Sequence, residues 1–273
     1  VNRRLFMVQT AAAAATPLAT ANASAGKAGL IDCNIHLGTH PTRKLPEINE
    51  DFLIQRGIEE AWAGSFEALL HRDMAAVNTR LAKRCAASPR LRPVGSVNPQ
   101  LPAWADDLDR CVEKHGMKVI RLYPNHHGYT LTDEAFLNLL RAATLRKVAV
   151  QLVAQLEDQR TQSTLMQVPP VDLKPLADMM KLVPEARVMV LNANAAMITT
   201  ALRGCTNVWL DIAMIEGVGG VENTLKGWPE EKLCFGSHAP FFYWESAGLK
   251  MQESVLTDAQ TAAIRSGNVR ALV

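Results

Sequence analysis

Leu30-Ile31-Asp32-Cys33-Asn34-Ile35-His36-Leu37 reads as an apolar strand with polar residues two apart toward its C-terminal end. Seven further apolar segments follow: Ile58–Ser65, Leu91–Val97, Val119–Tyr123, Val148–Val153, Val188–Ala193, Val208–Ala213 and Leu233–His238. Stretches with helical spacing separate most of them, and that alternation builds a parallel sheet. Eight such units in roughly 250 residues have the size of a closed (β/α)8 barrel, an α/β TIM barrel forming one domain. Catalytic groups in that architecture stand at the C-terminal ends of the strands, so the fold itself directs the search for a site.

The intervening helices are partly legible. Asp133 and Glu134 after Thr132 mark a start, and Phe136, Leu139, Leu140 and Ala143 then share one face. Met74, Val77 and Leu81 give a weaker stripe after the second strand. Thr257 with Gln260 has capping-box spacing, and Gly267 is expected to stop that helix. Two loops exceed what connection requires: Gly38–Asn49, expected to form part of a lid, and Gln155–Pro170.

Residues 1–25 fall outside the barrel pattern. Arg3-Arg4 precede a short apolar stretch, an alanine run (Ala11–Ala15) and two A-x-A triplets, Ala21–Ala23 and Ala23–Ala25. This pattern makes a secretory signal of the twin-arginine type, leaving residues 26–273 as an exported, periplasmic barrel domain. A basic tail is the alternative reading. The apolar stretch is too short and too rich in alanine for a membrane span.

The whole chain carries 29 basic and 27 acidic residues, and cleavage after Ala25 would leave 27 of each. That balance supports binding neither to nucleic acid nor to an anionic membrane. It specifies no oligomeric state. Five cysteines (33, 85, 111, 205 and 234) lack Cys-x-x-Cys spacing, which argues against a disulfide framework or structural zinc site. Gly217-Val218-Gly219-Gly220 is followed by Val221-Glu222 and lacks the Lys-Ser/Thr of a phosphate-binding loop.

Strand parity gathers the chemistry. Asp32, Asn34 and His36 are expected on one face of the first strand, and Arg121 and Tyr123 on one face of the fourth. Asn192 pairs with Asn194 on the sixth, Trp209 with Asp211 on the seventh, and Gly236 with His238 on the eighth. Polar side chains inside a barrel are costly unless they pair or meet a ligand. Their recurrence on five strands is the signal.

The segments Ile31–His36, Gly95–Pro99, Ile120–Asn125, Phe235–Pro240 and Ser266–Arg270 resemble, in that order, the amidohydrolase-related barrels. The resemblance covers nearly all of residues 26–273, and the order of the motifs carries it rather than any one of them. It implies a metal-dependent hydrolase, or a related decarboxylase or lyase, acting on small metabolites. The family's metal positions fall on Asn34, His36, Val153, Asn192 and His238. Valine cannot ligate, and an asparagine carbonyl is a poor zinc ligand beside imidazole or carboxylate. No resident cofactor is therefore expected. A weak zinc or manganese site from His36, His238 and a loop group is the alternative.

Each candidate has two readings. His36 and His238 are either proton-transfer groups or hydrogen-bonded pocket walls. Asp32 either contacts substrate or anchors the first strand, while Asp211 either holds a histidine in one tautomer or satisfies a neighbour. Arg121 and Tyr123 make either an oxyanion clamp or a stacked structural pair. His127, in the loop after the fourth strand, is an acid–base candidate or idle. Asn34 and Asn192 read as substrate hydrogen-bonders. Two functions follow: cleavage of a small amide, ester, lactone or related C–O or C–C bond, or a lapsed enzyme retaining only binding of a small molecule or a partner.

Overall fold

Nine parallel strand segments carry the fold in the computed structural model, which describes residues 29–273. The expected leader, with Arg3 and Arg4, lies outside the described residues. The strands are β1 (Leu30–Leu37), β2 (Ile58–Ser65), β3 (Leu91–Pro93), β4 (Gly95–Ser96), β5 (Val119–Leu122), β6 (Ala149–Val153), β7 (Val188–Leu191), β8 (Trp209–Asp211) and β9 (Leu233–Cys234). The third predicted segment is broken at Val94, whose N–H still bonds Ala63 O on β2 at 2.8 Å. Beyond β9 the chain runs on against β1. Cys33 N–H donates to Phe235 O (3.0 Å), His238 N–H to Asn34 O (2.8 Å) and His36 N–H to Ala239 O (2.8 Å). These bonds close the sheet into the expected barrel.

Two apolar layers result. Ile31, Cys33, Ala149, Met189, Trp209 and Cys234 belong to the cluster inside the barrel, while Ile35, Leu122, Val150 and Leu210 face the helices. Val-Ile-Leu-rich strands are what burial on both faces requires. The helix Glu134–Leu145 buries Phe136, Leu139, Leu140 and Ala143, and the helix Met74–Cys85 buries Met74, Val77 and Leu81, as their spacing predicts. The Thr257–Gln260 capping box is formed.

Gly267 does not end its helix. It keeps right-handed geometry (φ −58°), and the chain stays helical through Arg270. A glycine stops a helix by turning left-handed, and here buried Ile264 and Val269 hold the next turn in place. Asn268 Nδ2 also ties that turn to Glu230 O and Leu233 O, both at 2.7 Å. All five cysteines are unpaired and buried. Among the described residues no helix is long and apolar enough to cross a membrane.

Parity on β1 is interrupted. Asp32 aligns with Ala61 and Ile35 with Ala63, so β1 carries one residue more than β2 across this interval. An inserted residue turns the following side chains to the other face. Cys33 and Asn34 therefore both reach the interior, and Asp32 leaves the face shared by Asn34 and His36.

Candidate active site

A ring of fully buried polar side chains closes the C-terminal end of the barrel. Asn34 donates both Nδ2 hydrogens, to Asn192 Oδ1 at 2.8 Å and Asp211 Oδ2 at 2.6 Å. Asp211 Oδ1 accepts the Asn192 backbone N–H at 2.8 Å. Asn192 Nδ2 donates to Gln155 O (2.8 Å) and reaches His238 Nδ1 at 3.4 Å. His238 Nε2–H donates to Leu156 O at 2.8 Å, which fixes the tautomer. Burial holds the His238 imidazole down to about 3, so it is neutral near pH 7, and pushes the Asp211 carboxyl up to about 6 against the hydrogen bonds from Asn192 and Asn34.

Backbone geometry supports this ring. Asn192 and His238 both sit in the left-handed region, with φ of 59° each, a conformation that asparagine and histidine adopt more readily than most residues. Strain of that kind collects where the fold must aim a side chain. Gly236 is needed for space, because a Cβ there would lie 2.8 Å from Asp211 Cβ and 3.1 Å from Asn34 Cβ.

Beside the ring stands a second group, built on Arg121. The guanidinium is fully buried on β5, and its partners are all neutral. Nε–H donates to Gln151 Oε1 (2.8 Å), Nη1 to Ile35 O (2.9 Å), and Nη2 to Cys33 O (3.3 Å) and Trp62 O (3.4 Å). Nη1 also lies 3.1 Å from His36 Nε2, and Tyr123 Oη is 3.1 Å from the same nitrogen. Burying such a charge costs several kcal/mol, offset by charge-assisted hydrogen bonds of about 1.5–3 kcal/mol each. Gly64 makes room, since a Cβ there would meet Nη1 at 2.6 Å. Burial and then the Arg121 charge hold His36 well below its ordinary pKa. Burial raises Tyr123, with Arg121 opposing.

The other predicted residues are placed differently. Asp32 Oδ1 accepts the backbone N–H groups of Asn34 (3.1 Å) and Ser237 (3.0 Å), bracing β1 against the chain beyond β9. Burial pushes it up to about 7. His127 packs edge-on against Tyr123 at 5.9 Å, and its Nε2–H donates to Ala68 O at 2.8 Å. Asn194 does not share the inward face with Asn192, because its side chain caps the helix Ala195–Thr199 through Met197 N–H.

Sequence reasoning missed two residues. Gln151 bridges Arg121 and Cys33 O, and its signal was a lone polar residue in an apolar strand. His40, in the loop after β1, is 3 % exposed and packs edge-on against Phe66 at 5.1 Å. The sequence around it, Gly38–Asn49, reads only as part of a lid.

The two long loops meet over the site. Arg43 from the first pairs with Glu157 and Thr161 O of the second, and its Cζ lies 5.2 Å over the Phe241 ring. Phe241 stacks on His238 at 5.2 Å, and Phe242 meets it edge-on at 5.1 Å. Two cavities flank this cover. One of about 170 Å³ is bordered by His36, His40, Lys44 and Pro240, and one of about 400 Å³ by Gln155, Asn194, Met214 and Phe242.

These donors do not fit a divalent ion. His238 Nε2 is committed to Leu156 O, Val153 offers no ligand atom, and Asn34 presents only an unpaired amide oxygen, a poor ligand beside imidazole or carboxylate. A permanent guanidinium lies against His36, where a second cation would meet like charge. Among the described residues no three His, Cys, Asp or Glu side chains are grouped to hold a metal.

Comparison with known proteins places this geometry in context. Residues 31–273 match the family described as Amidohydrolase. The barrel superposes on 5-carboxyvanillate decarboxylase from Sphingomonas paucimobilis with a TM-score of 0.71 at 12% identity, covering 90% of this chain and 98% of that one. Dihydroxybenzoic acid decarboxylase from a Polaromonas species, solved with manganese and 2-nitroresorcinol, gives 0.69 at 14% identity, with 89% and 96% covered. A putative amidohydrolase from Staphylococcus aureus gives 0.65 at 13% identity, with 89% and 98% covered. At these identities the likeness is one of fold. No curated protein matches the chain.

Proposed function

The chain belongs to the amidohydrolase family, and from the site it carries we propose a small-molecule lyase or hydrolase that works by proton transfer without a resident metal ion. The observation that carries this reading is the Arg121 guanidinium 3.1 Å from His36 Nε2, with Tyr123 Oη at 3.1 Å from the same nitrogen. A hydroxyl beside a neutral imidazole is an acid–base pair, and the buried cation favours the negative charge that develops when that pair moves a proton. Asn34, Asn192, Asp211 and His238 form the polar wall that orients a substrate. His127 backs the Tyr123 ring.

Within this class, the decarboxylases among the solved relatives support C–C cleavage of a small aromatic acid. The bond to the carboxylate breaks, its electron pair stays on the ring carbon, and carbon dioxide leaves. The proton that replaces it comes from the Tyr123 hydroxyl, and the phenolate left behind is favoured by the Arg121 guanidinium until a proton returns from solvent.

A second reading is favoured by one observation. Every ring side chain is buried and largely satisfied by its neighbours, with Phe241 and Phe242 packed on His238, as in a barrel that retains binding but not turnover. Export of the mature barrel to the periplasm is part of either proposal and rests on Arg3-Arg4 and the A-x-A triplets.

The test is turnover of hydroxybenzoates, small esters and lactones by the purified chain, with elemental analysis and with chelator added. Turnover that survives chelation and falls in Tyr123→Phe and His36→Ala is expected. One tightly bound manganese or zinc per chain, with activity lost on its removal, would overturn the metal-free reading. A protein that binds these compounds and turns none over would be the lapsed barrel.

A further inference from the structure

We propose that His40 is a ligand-binding residue whose imidazole Nε2–H meets an oxygen of a small carboxylate entering the cavity beside the loop after β1. The hydrogen bonds decide the tautomer. His40 Nδ1 lies 3.3 Å from the Thr42 backbone N–H, which can only donate, so Nδ1 is the acceptor and the ring proton sits on Nε2. That Nε2–H is buried and has no acceptor.

The other site histidines differ. His238 uses both nitrogens, His36 faces Arg121 and Tyr123, and the His127 Nε2–H is taken by Ala68 O. The His40 Nε2–H is thus a buried ring donor with no acceptor among the described residues. A buried donor left unpaired costs about 1–3 kcal/mol, and such groups are rare in native structures. Its edge-on packing on Phe66 offers at most a weak N–H···π contact.

The adjoining cavity selects the acceptor. Its volume is about 170 Å³, and His36, His40, Arg43, Lys44 and Arg84 border it with Glu47 as the one acidic side chain. Arg43 is committed to Glu157, and Arg84 reaches Glu47 only at 3.5 Å, while Lys44 makes no ion pair among the described residues. A neutral donor ringed by more positive than negative charge suits an anionic oxygen. Burial, and then Arg43, hold His40 down to about 4, so the imidazole is neutral near pH 7. The inference concerns binding alone, goes beyond the proposed reaction, and stands whether or not turnover is found.

The experiment is a titration of the full, ¹⁵N-labelled chain with acetate and with benzoate, read at the imidazole nitrogens. The free protein should show His40 as the Nε2–H tautomer. Either ligand should give a saturable shift at that proton and slow its exchange with water. His40→Phe keeps a ring without the donor and should lose about tenfold or more in affinity, as expected for one hydrogen bond to a charged group. His40→Gln restores an N–H and should recover part of it. A carboxylate that saturates other signals while leaving His40 unmoved would overturn the proposal, as would no saturable binding of either acid. Equal affinity in a folded His40→Phe variant would also overturn it. If that variant fails to fold, the imidazole titration and His40→Gln decide.

Discussion

Arg121 Nη1 lies 3.1 Å from His36 Nε2, a guanidinium set against an imidazole inside the barrel with neutral partners on every side. The relationship explains two features together. His36 is held neutral, and the interior has a permanent positive charge that needs no ion from solution. Three backbone carbonyls, of Cys33, Ile35 and Trp62, turn toward this charge, so the strands are arranged around it.

Arg121→Met is therefore expected to cost on the order of 3–5 kcal/mol, because the carbonyls and Gln151 lose their donor inside the core. Arg121→Lys should recover only part of that, since one ammonium cannot reproduce five N–H groups in a planar fork. Urea unfolding of the three proteins checks the order. A stability loss under 1 kcal/mol in Arg121→Met would show that the charge is a burden the fold tolerates.

Gly64→Ala tests the same group without touching it. The new Cβ would stand 2.6 Å from Arg121 Nη1, so the guanidinium must shift. A loss of about 1–3 kcal/mol, typical of overpacking, is expected, with the His36 imidazole signals moving in an NMR spectrum. A stable variant with unmoved His36 signals would place the guanidinium farther from Gly64 than described.

Much of this arrangement is legible in the sequence, because strand period and β/α alternation are local properties. Asn34, His36, Arg121, Tyr123, Asn192, Asp211 and His238 do gather at one end of the barrel. What is not legible depends on pairing between distant segments. The extra residue in β1 appears only against the register of β2, and it takes Asp32 off the face parity assigned to it. The left-handed turns at Asn192 and His238 likewise answer to neighbouring strands. His40 was hidden because its importance lies in an acceptor it lacks, which no local pattern reveals.

The Arg43–Glu157 pair joins the two long loops over Phe241 and His238. Arg43 is 35% exposed but Glu157 only 4%, so removing the arginine leaves a buried carboxylate without its cation and should cost about 1–3 kcal/mol. Its loss should act on access as well. Arg43→Ala is expected to lower the unfolding midpoint, to speed amide exchange in residues 38–49 and 155–170, and to raise the association rate of small carboxylates. Exchange confined to its parent rate in both loops would count against a latch.

The leader makes a separate prediction. Arg3→Lys with Arg4→Lys should hold the precursor in the cytoplasm, because the twin-arginine route reads the arginine pair itself. The parent chain should yield a periplasmic product beginning near Ser24 or Gly26. Recovery of an exported product that still carries residues 1–25 would rule out cleavage.

Asp32 supplies the most direct pH test. Burial pushes its carboxyl from 3.8 up to about 7, against hydrogen bonds from Ser237 and Asn34 that pull it down. Between about pH 4 and 7 the folded chain therefore keeps a proton that the unfolded chain has released. Stability falls as pH rises through that window and levels off above it, once the folded carboxyl also ionises. Asp32→Asn keeps an acceptor for the Asn34 and Ser237 N–H groups and cannot ionise. Its stability relative to the parent should be lowest near pH 4 and grow by on the order of a few kcal/mol by pH 7. Asp211, raised to about 6, shifts stability with pH in the same direction. The depressed histidines act oppositely, with stability lost as pH falls below about 6.5. Both contributions are present in parent and variant, so the difference between the two urea curves isolates Asp32. A difference that stays flat from pH 4 to 8 would mean that Asp32 is ionised in the folded barrel throughout.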